Sequence, residues 1–266
     1  MAKSFSVRHQ SGFTFIALFC FFALYLPIAV LVVFAFNAGN SLSDWQGVSL
    51  RWFQQAAQNQ LVIDTSIRSL QIAVVAAIIS TAAATLAAIA TTRTEPYRGL
   101  TFKYAFINLP LMVPEIVTAV ALLIFFAEIK QWTGYAGMAY LYAAHTAFCI
   151  PFAYLPIRAR LENMDETLER AAADLYATPF QAFRYVTLPL LWPGILAGMM
   201  LAFVISLDDV VITQFVKMAG QDTLPTYMLG QLRRAITPEM NAISTVFLVL
   251  SVAVVTVFFF VNRKQA

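Results

Sequence analysis

Three carboxylates stand where carboxylates are costly. Glu115 follows Pro110-Leu-Met-Val-Pro114 inside one apolar stretch, and Asp208-Asp209 lie inside another. A charge at mid-membrane costs about 2.5–3.5 kcal/mol on insertion scales, and less near the edge. The apolar stretches hold almost no Lys or Arg to offset this; Arg68 and Lys103 stand near their ends. Such acids can receive a cation in transit, the mobile charge supplying what the chain withholds. The competing reading keeps them protonated, or tied to backbone and hydroxyl groups as structural hydrogen bonds. Neighbouring residues on a helix point about 100° apart. One of Asp208 and Asp209 is therefore expected to face a pathway while the other bonds to a partner helix.

Other chemistries find little support. No Gly is followed by Lys and then Ser or Thr, so there is no Walker A loop and no ATP hydrolysis by that route. Neither a Ser-His-Asp set nor HExxH occurs, and no carboxylate pair has an acid/base partner. An enzyme is not expected, and no cofactor is expected in this chain. His145 and Cys149, four apart, make a weak metal pair; a buried thiol near a hydrogen-bonded His is the better reading. With Cys20 as the other cysteine, there is no disulfide framework and no CxxC site.

The elements that must hold the acids are membrane helices. The chain has 266 residues, 60% hydrophobic and 12% charged, with mean hydropathy +0.73. That is a polytopic membrane protein, and a net charge of +3 gives no nucleic-acid reading. Six apolar runs predict an all-α fold with six transmembrane helices, at about 13–36, 66–91, 102–127, 137–161, 190–216 and 241–261. The first run is too long for a signal-peptide core. The second is rich in Ala, so it is expected to be buried among other helices. Glu115 falls about 20 Å along its helix from Phe102, near mid-membrane, and Asp208-Asp209 about 27 Å from Leu190, in the outer third. Pro110 and Pro114 loosen the backbone before Glu115, as is tolerated where a helix lines a cavity. No repeat is visible, and residues 1–266 read as a single transmembrane domain.

Lys and Arg orient the spans. With the N-terminus inside, Lys3, Arg8, Arg93, Arg98, Lys103, Arg158, Arg160, Arg170, Arg184, Arg263 and Lys264 all fall inside, eleven of the 17. Both termini and the loop 162–189 are then cytoplasmic. On the outside, Leu50-Arg51-Trp52-Phe53 predicts a short interfacial helix with Trp52 at headgroup level. Gly194-x-x-x-Gly198 predicts close helix crossing within the subunit.

The loop 162–189 is the longest well-charged piece of the chain. Leu168, Ala171, Ala172 and Leu175 make one narrow apolar stripe, Glu166 and Arg170 pair at i,i+4, and Asp165 is the expected N-cap. Thr178 and Pro179 start a second short helix, and Leu188-Pro189 and Pro193 are expected to break the chain after it. These stripes are too small for a core and suit a groove on another protein.

Here the residues carry a resemblance. Leu168-Glu-Arg-Ala-Ala-Ala-Asp-Leu-Tyr-Ala-Thr-Pro179, followed by Leu188-Pro189, resembles the EAA loop of permease subunits in bacterial ABC importers. That implies a cytoplasmic coupling helix docking on an ATPase, with Glu169, Arg170, Ala171, Ala172, Asp174, Tyr176, Thr178 and Pro179 as coupling residues. Two positions depart from the pattern: Arg170 replaces the usual Glu, with Glu169 one place earlier, and Tyr176 replaces the usual Gly. A turn needing φ > 0 there would be strained. Downstream, Ser206-Leu-Asp-Asp-Val-Val-Ile-Thr213, Thr223-Leu-Pro-Thr-Tyr227 and Leu232-Arg-Arg-Ala-Ile-Thr-Pro-Glu-Met-Asn-Ala-Ile-Ser-Thr245 resemble the spermidine/putrescine branch of these permeases. The resemblance implies the six-helix type I importer fold in a bacterial inner membrane. It also implies two ATPase subunits carrying ATP and Mg, a second and homologous permease, and an external binding protein. Glu115, Asp208 and Asp209 become the expected substrate-pathway residues. That branch also serves other small solutes, amino-acid-like or opine-like. A non-transporting receptor or scaffold is the reading from another class.

Overall fold

The computed structural model describes residues 11–41, 44–93, 98–234 and 237–263. In chain order the helices are α1 (Ser11–Phe34), α2 (Arg51–Gln58), α3 (Gln60–Thr92), α4 (Leu100–Met112), α5 (Glu115–Thr133), α6 (Ala139–Glu162), α7 (Thr167–Asp174), α8 (Pro179–Ala182), α9 (Leu188–Asp208), α10 (Val211–Val216), α11 (Leu224–Leu232) and α12 (Pro238–Arg263). Among the described residues five stretches are helical, long and apolar enough to cross a membrane: Phe13–Phe34, Gln60–Thr92, Glu115–Thr133, Pro179–Asp208 and Pro238–Phe260. The 24-residue α6, with its Tyr, His and Arg residues, supplies the sixth expected helix. The fold is an all-α membrane protein.

Two expected spans are broken. The run 102–127 divides at Val113-Pro114, where Val113 turns extended (φ −93°, ψ 137°) ahead of a residue that cannot donate. The run 190–216 divides at Asp209, also extended (φ −61°, ψ 132°). Conversely, the break expected at Leu188-Pro189 does not occur, and the helix runs from Pro179 to Asp208. Pro189 would clash with the carbonyl four residues back. A π-helical turn over Phe183–Thr187 widens the coil there, the Leu188 N–H reaching back to the Phe183 carbonyl.

The described residues fall into two compact units, one within Met1–Gln60 and Leu232–Leu250, the other within Leu61–Gln231 and Ser251–Ala266. In the first, Asn37 is a fully buried hub. Its amide donates to the Ser41 and Asp44 carbonyls, and its Oδ1 accepts from the Gln46 N–H at 2.8 Å. The Trp52 indole donates to the Asn37 carbonyl at 2.9 Å and is only 5% exposed. The short helix expected around Trp52 is α2, and the fold-back pairing Asn37 with Val48 offers its indole a buried acceptor. Asn59 beside α2 donates to Glu239 at the start of α12.

The second unit is organised by α6 against α9. A methyl at Gly198 would lie 2.7 Å from the Ala153 carbonyl oxygen, and one at Gly194 equally close to the Arg160 Cβ. The two glycines therefore serve packing inside the chain. On α3 the small residues Ala73, Ala76, Ala77, Ser80, Ala84 and Ala88 are buried, as their size predicts. Thr91 joins α3 to α6 through the Tyr154 hydroxyl at 2.9 Å. At the other end of α3, Arg68 donates to the Asp222 carbonyl and Ser69 accepts the Leu224 N–H.

Candidate functional site

The breaks in the two divided spans meet. Glu115 opens α5 directly after Pro114, and Asp208-Asp209 mark the gap between α9 and α10, which packs on both α5 and α6. A cavity of about 360 Å³ is lined by all three acids together with Phe148, Phe152, Ile205, Val210 and Val211. Sequence reckoning set Glu115 and the aspartates at different depths; the broken helices bring them to one place. Among the described residues no Lys or Arg forms an ion pair with any of the three.

The two aspartates are held differently. Asp208 is exposed on the cavity side. Asp209 is 6% exposed and closes the helix gap. Its carboxylate accepts the Ile212 N–H at 3.2 Å, the Thr213 N–H at 2.9 Å and the Thr213 hydroxyl at 2.8 Å. These are the orphan donors at the start of α10, met as an N-cap meets them. His145, from α6, lies alongside: Nδ1 is 2.8 Å from the Ser206 hydroxyl, Nε2 is 2.9 Å from the Thr213 hydroxyl and 3.6 Å from Asp209 Oδ2. Cys149 donates to the Ala202 carbonyl. The His145–Cys149 pair is thus a hydrogen-bonded histidine one turn from a buried thiol. No group of three metal-ligating side chains occurs among the described residues.

The loop forms a second site. Helix α7 starts at Thr167, and the Asp165 carboxylate accepts the Thr167 N–H at 2.9 Å from one residue beyond the half-helical Glu166. That bond holds the Asp165 carboxyl below its ordinary value. The helix ends in a Schellman closure: Ala177 N–H returns to the Ala172 carbonyl and Tyr176 N–H to the Ala173 carbonyl. Tyr176 takes the left-handed position at φ 61°, the single non-glycine residue to do so among the described residues. It is 95% exposed, and Leu175 beside it 82%. Leu168 and Ala171 of the stripe are exposed too. Thr178 then caps α8 in a reciprocal box with Gln181, with Pro179 at the first helical position.

Glu169 does not face outward with them. It meets Arg93 of the α3 end at 3.3 Å and accepts the Thr187 hydroxyl at 3.0 Å. Glu166 meets Arg93 at 3.3 Å and Arg170 at 3.2 Å. Arg93 and Thr187 were not singled out in the sequence, since nothing in their local pattern distinguishes them. Ser206 and Thr213 lay inside the quoted motif, but their bond to His145 spans more than 60 residues. Lys3, Arg8, Lys264 and the pair Ala235-Ile236 lie outside the described residues.

A family model of the binding-protein-dependent transport system inner membrane component matches residues 101–265. The chain is 35% identical to the putrescine transport system permease protein PotI of Escherichia coli (strain K12), over 89% of this chain and 83% of the relative. It is also 35% identical to the spermidine/putrescine transport system permease protein PotC of Haemophilus influenzae, over 91% of this chain and 93% of the relative. A crystal structure of a bacterial ABC transporter involved in import of the acidic polysaccharide alginate contains a chain of the same fold. Its TM-score is 0.73 at 15% identity, covering 95% of this chain and 93% of that one.

Proposed function

Because the chain belongs to the inner-membrane components of binding-protein-dependent transport systems, we propose that it lines half of an inward route for putrescine, spermidine or a related organic cation. It is a multi-pass inner-membrane permease of the type I ABC importer fold. The polyamine reading is supported by its relatives and, above all, by one observation. Glu115, Asp208 and Asp209 converge on one cavity beside Phe148 and Phe152, with no cationic side chain paired to them among the described residues. Carboxylates with aromatic walls suit an alkylammonium, which brings its own charge and an apolar stem.

In this proposal residues 1–266 act as one permease domain with both termini and the α7 loop cytoplasmic. The partners are a second, homologous permease, an external binding protein and two ATPase subunits that hold ATP and Mg. The exposed Leu168, Ala171, Leu175 and Tyr176, with Arg170, Asp174, Thr178 and Pro179 around them, form the face that an ATPase grips. Ala172, half-buried, backs that face. Glu169 acts from behind, passing movement of α7 to α3 through Arg93 and to the π turn through Thr187.

The test is ATPase activity and uptake of the reconstituted complex with polyamine-loaded or empty binding protein, for wild type and Asp208→Asn. Stimulation by the loaded protein, with uptake lowered about tenfold in the variant and assembly unchanged, supports the reading; a bond to a charged group is worth about that factor. Uptake untouched by Asp208→Asn removes the acid from the route. No stimulation by any polyamine points to another small solute.

A further inference from the structure

We propose that His145 is a positioning residue that sets Asp209 for transport; this rests on the cation-route reading above. The hydrogen-bond pattern assigns the imidazole's state. Thr213 has one hydroxyl proton, and it goes to Asp209 Oδ2 at 2.8 Å. The Thr213 oxygen must therefore accept at its 2.9 Å contact with His145, which puts a proton on Nε2. Nδ1, left without one in the neutral ring, accepts the Ser206 hydroxyl at 2.8 Å. The ring is 1% exposed and bridges the last turn of α9 to α10, across the very residue where the span is broken.

That bridge has a consequence for the cavity. Asp209 satisfies the first turn of a six-residue helix that is too short to hold itself. Its direction depends on where Thr213 stands, and Thr213 is fixed from the far side by His145. With the imidazole gone, α10 keeps its Asp209 cap and its packing on α5 and α6 but loses the hydrogen bond that fixes Thr213 against α6. The cap and helix then turn together, and the carboxylate leaves its place beside Glu115 on the cavity wall. His145 touches none of the cavity itself, so its influence travels through Thr213 and Asp209.

The experiment compares His145→Gln with His145→Asn in the complete transporter, measuring putrescine uptake per assembled complex and per ATP hydrolysed. A Gln amide reaches where Nε2 stood and can donate to Thr213; an Asn amide reaches only the Ser206 side. The expected result is an Asn variant about tenfold down in uptake per ATP, and a Gln variant within about twofold of wild type. In an Asp209→Asn background His145→Asn should add no further loss, the signature of two residues acting as a unit. Equal losses in Gln and Asn, or independent losses that multiply, would overturn the proposal in favour of plain packing. Should His145→Asn fail to assemble, Thr213→Val removes the linking hydroxyl at constant shape and must reproduce the uptake loss. Asp208→Asn, run alongside, tests the cation route itself: an unaffected Asp208→Asn defeats that reading, whereas an impaired Asp208→Asn with multiplying His145 losses defeats only the positioning role.

Discussion

The α7 loop and the cavity treat their carboxylates in opposite ways. In the loop Glu166 and Glu169 share Arg93, and Glu166 holds Arg170 as well. In the cavity Glu115 and Asp208 have no Lys or Arg at salt-bridge distance among the described residues, and Asp209 is met by amide and hydroxyl donors and a histidine. The loop is the more exposed region, where an ion pair is worth least, and yet it is the one that is paired. Unpaired acids in the apolar region are the costlier arrangement. On the cation-route reading proposed above, the loop's charges hold a position and the cavity's serve a charge that does not stay.

The comparison breaks if a resident cation leaves the cavity working. Val211→Lys puts an ammonium among the three acids. It should stabilise the carboxylates and abolish uptake, by about a hundredfold or more, in a complex that still assembles and docks its ATPase. Uptake within a few-fold of wild type would mean that the acids are structural. Glu115→Gln leaves the space open and removes one charge, and its expected loss is smaller, about fivefold to tenfold.

The next largest effect belongs to the loop. Arg93→Glu sets three carboxylates together at the end of α3 and should lower uptake per ATP about fivefold. The swap Arg93→Glu with Glu169→Arg should recover at least half of that, a coupling energy of about 1 kcal/mol. A swap no better than the single variants would mean that Arg93 holds the loop by its stem and not by its charge.

Much of this was legible in the residues. Six apolar runs, the apolar stripe of α7 and the Thr178-Pro179 start follow from period and capping chemistry, all local in the chain, while the strain at Tyr176 follows from the resemblance, which sets a Gly at that place. What was not legible is long-range or a balance of backbone terms. The division at Asp209 looks like unbroken helix in a hydropathy pattern. A carboxylate that can cap the next turn makes the gap affordable, and only the fold shows that it does. Pro189 carries the opposite lesson, since the π turn before it absorbs what the sequence marks as a stop. The depth reckoning for Glu115 and the aspartates assumed continuous helices, so it separated acids that two breaks bring together. The acceptor of the Trp52 indole, the Asn37 carbonyl, was hidden for the same reason, since it lies 15 residues earlier in a segment without regular structure.

Tyr176 sets the exposed face proposed to meet the ATPase apart in another way. A non-glycine residue in the left-handed region costs about 1–2 kcal/mol, and the ring, being exposed, regains nothing within this chain. Tyr176→Gly should raise the thermal midpoint of the purified permease by about 2–4 °C while weakening its hold on the ATPase subunit. Tyr176→Ala keeps the strain and loses the ring, so it should weaken the hold equally without the gain in stability. If the Gly variant binds the ATPase as wild type does, the ring is not what the partner grips.

The smallest expected effect concerns Asp165, and its sign follows from linkage. The Thr167 N–H bond, with lesser help from Arg170, holds the Asp165 carboxyl below its ordinary value in the folded loop. A group depressed in this way contributes above its unfolded pKa and loses the contribution as pH falls through the folded one. Protection of the first turn of α7 should therefore be flat from neutral pH down to about pH 5, and fade below about pH 4. Amide exchange at Thr167 reads it directly. Asp165→Ala should exchange roughly twofold to fivefold faster than wild type near neutrality, with the ratio closing towards one in acid. A ratio that stays constant across the range would assign the protection to the turn's backbone instead of the carboxylate. Glu166 would then be the residue that begins the helix, with its side chain committed to Arg93 and Arg170.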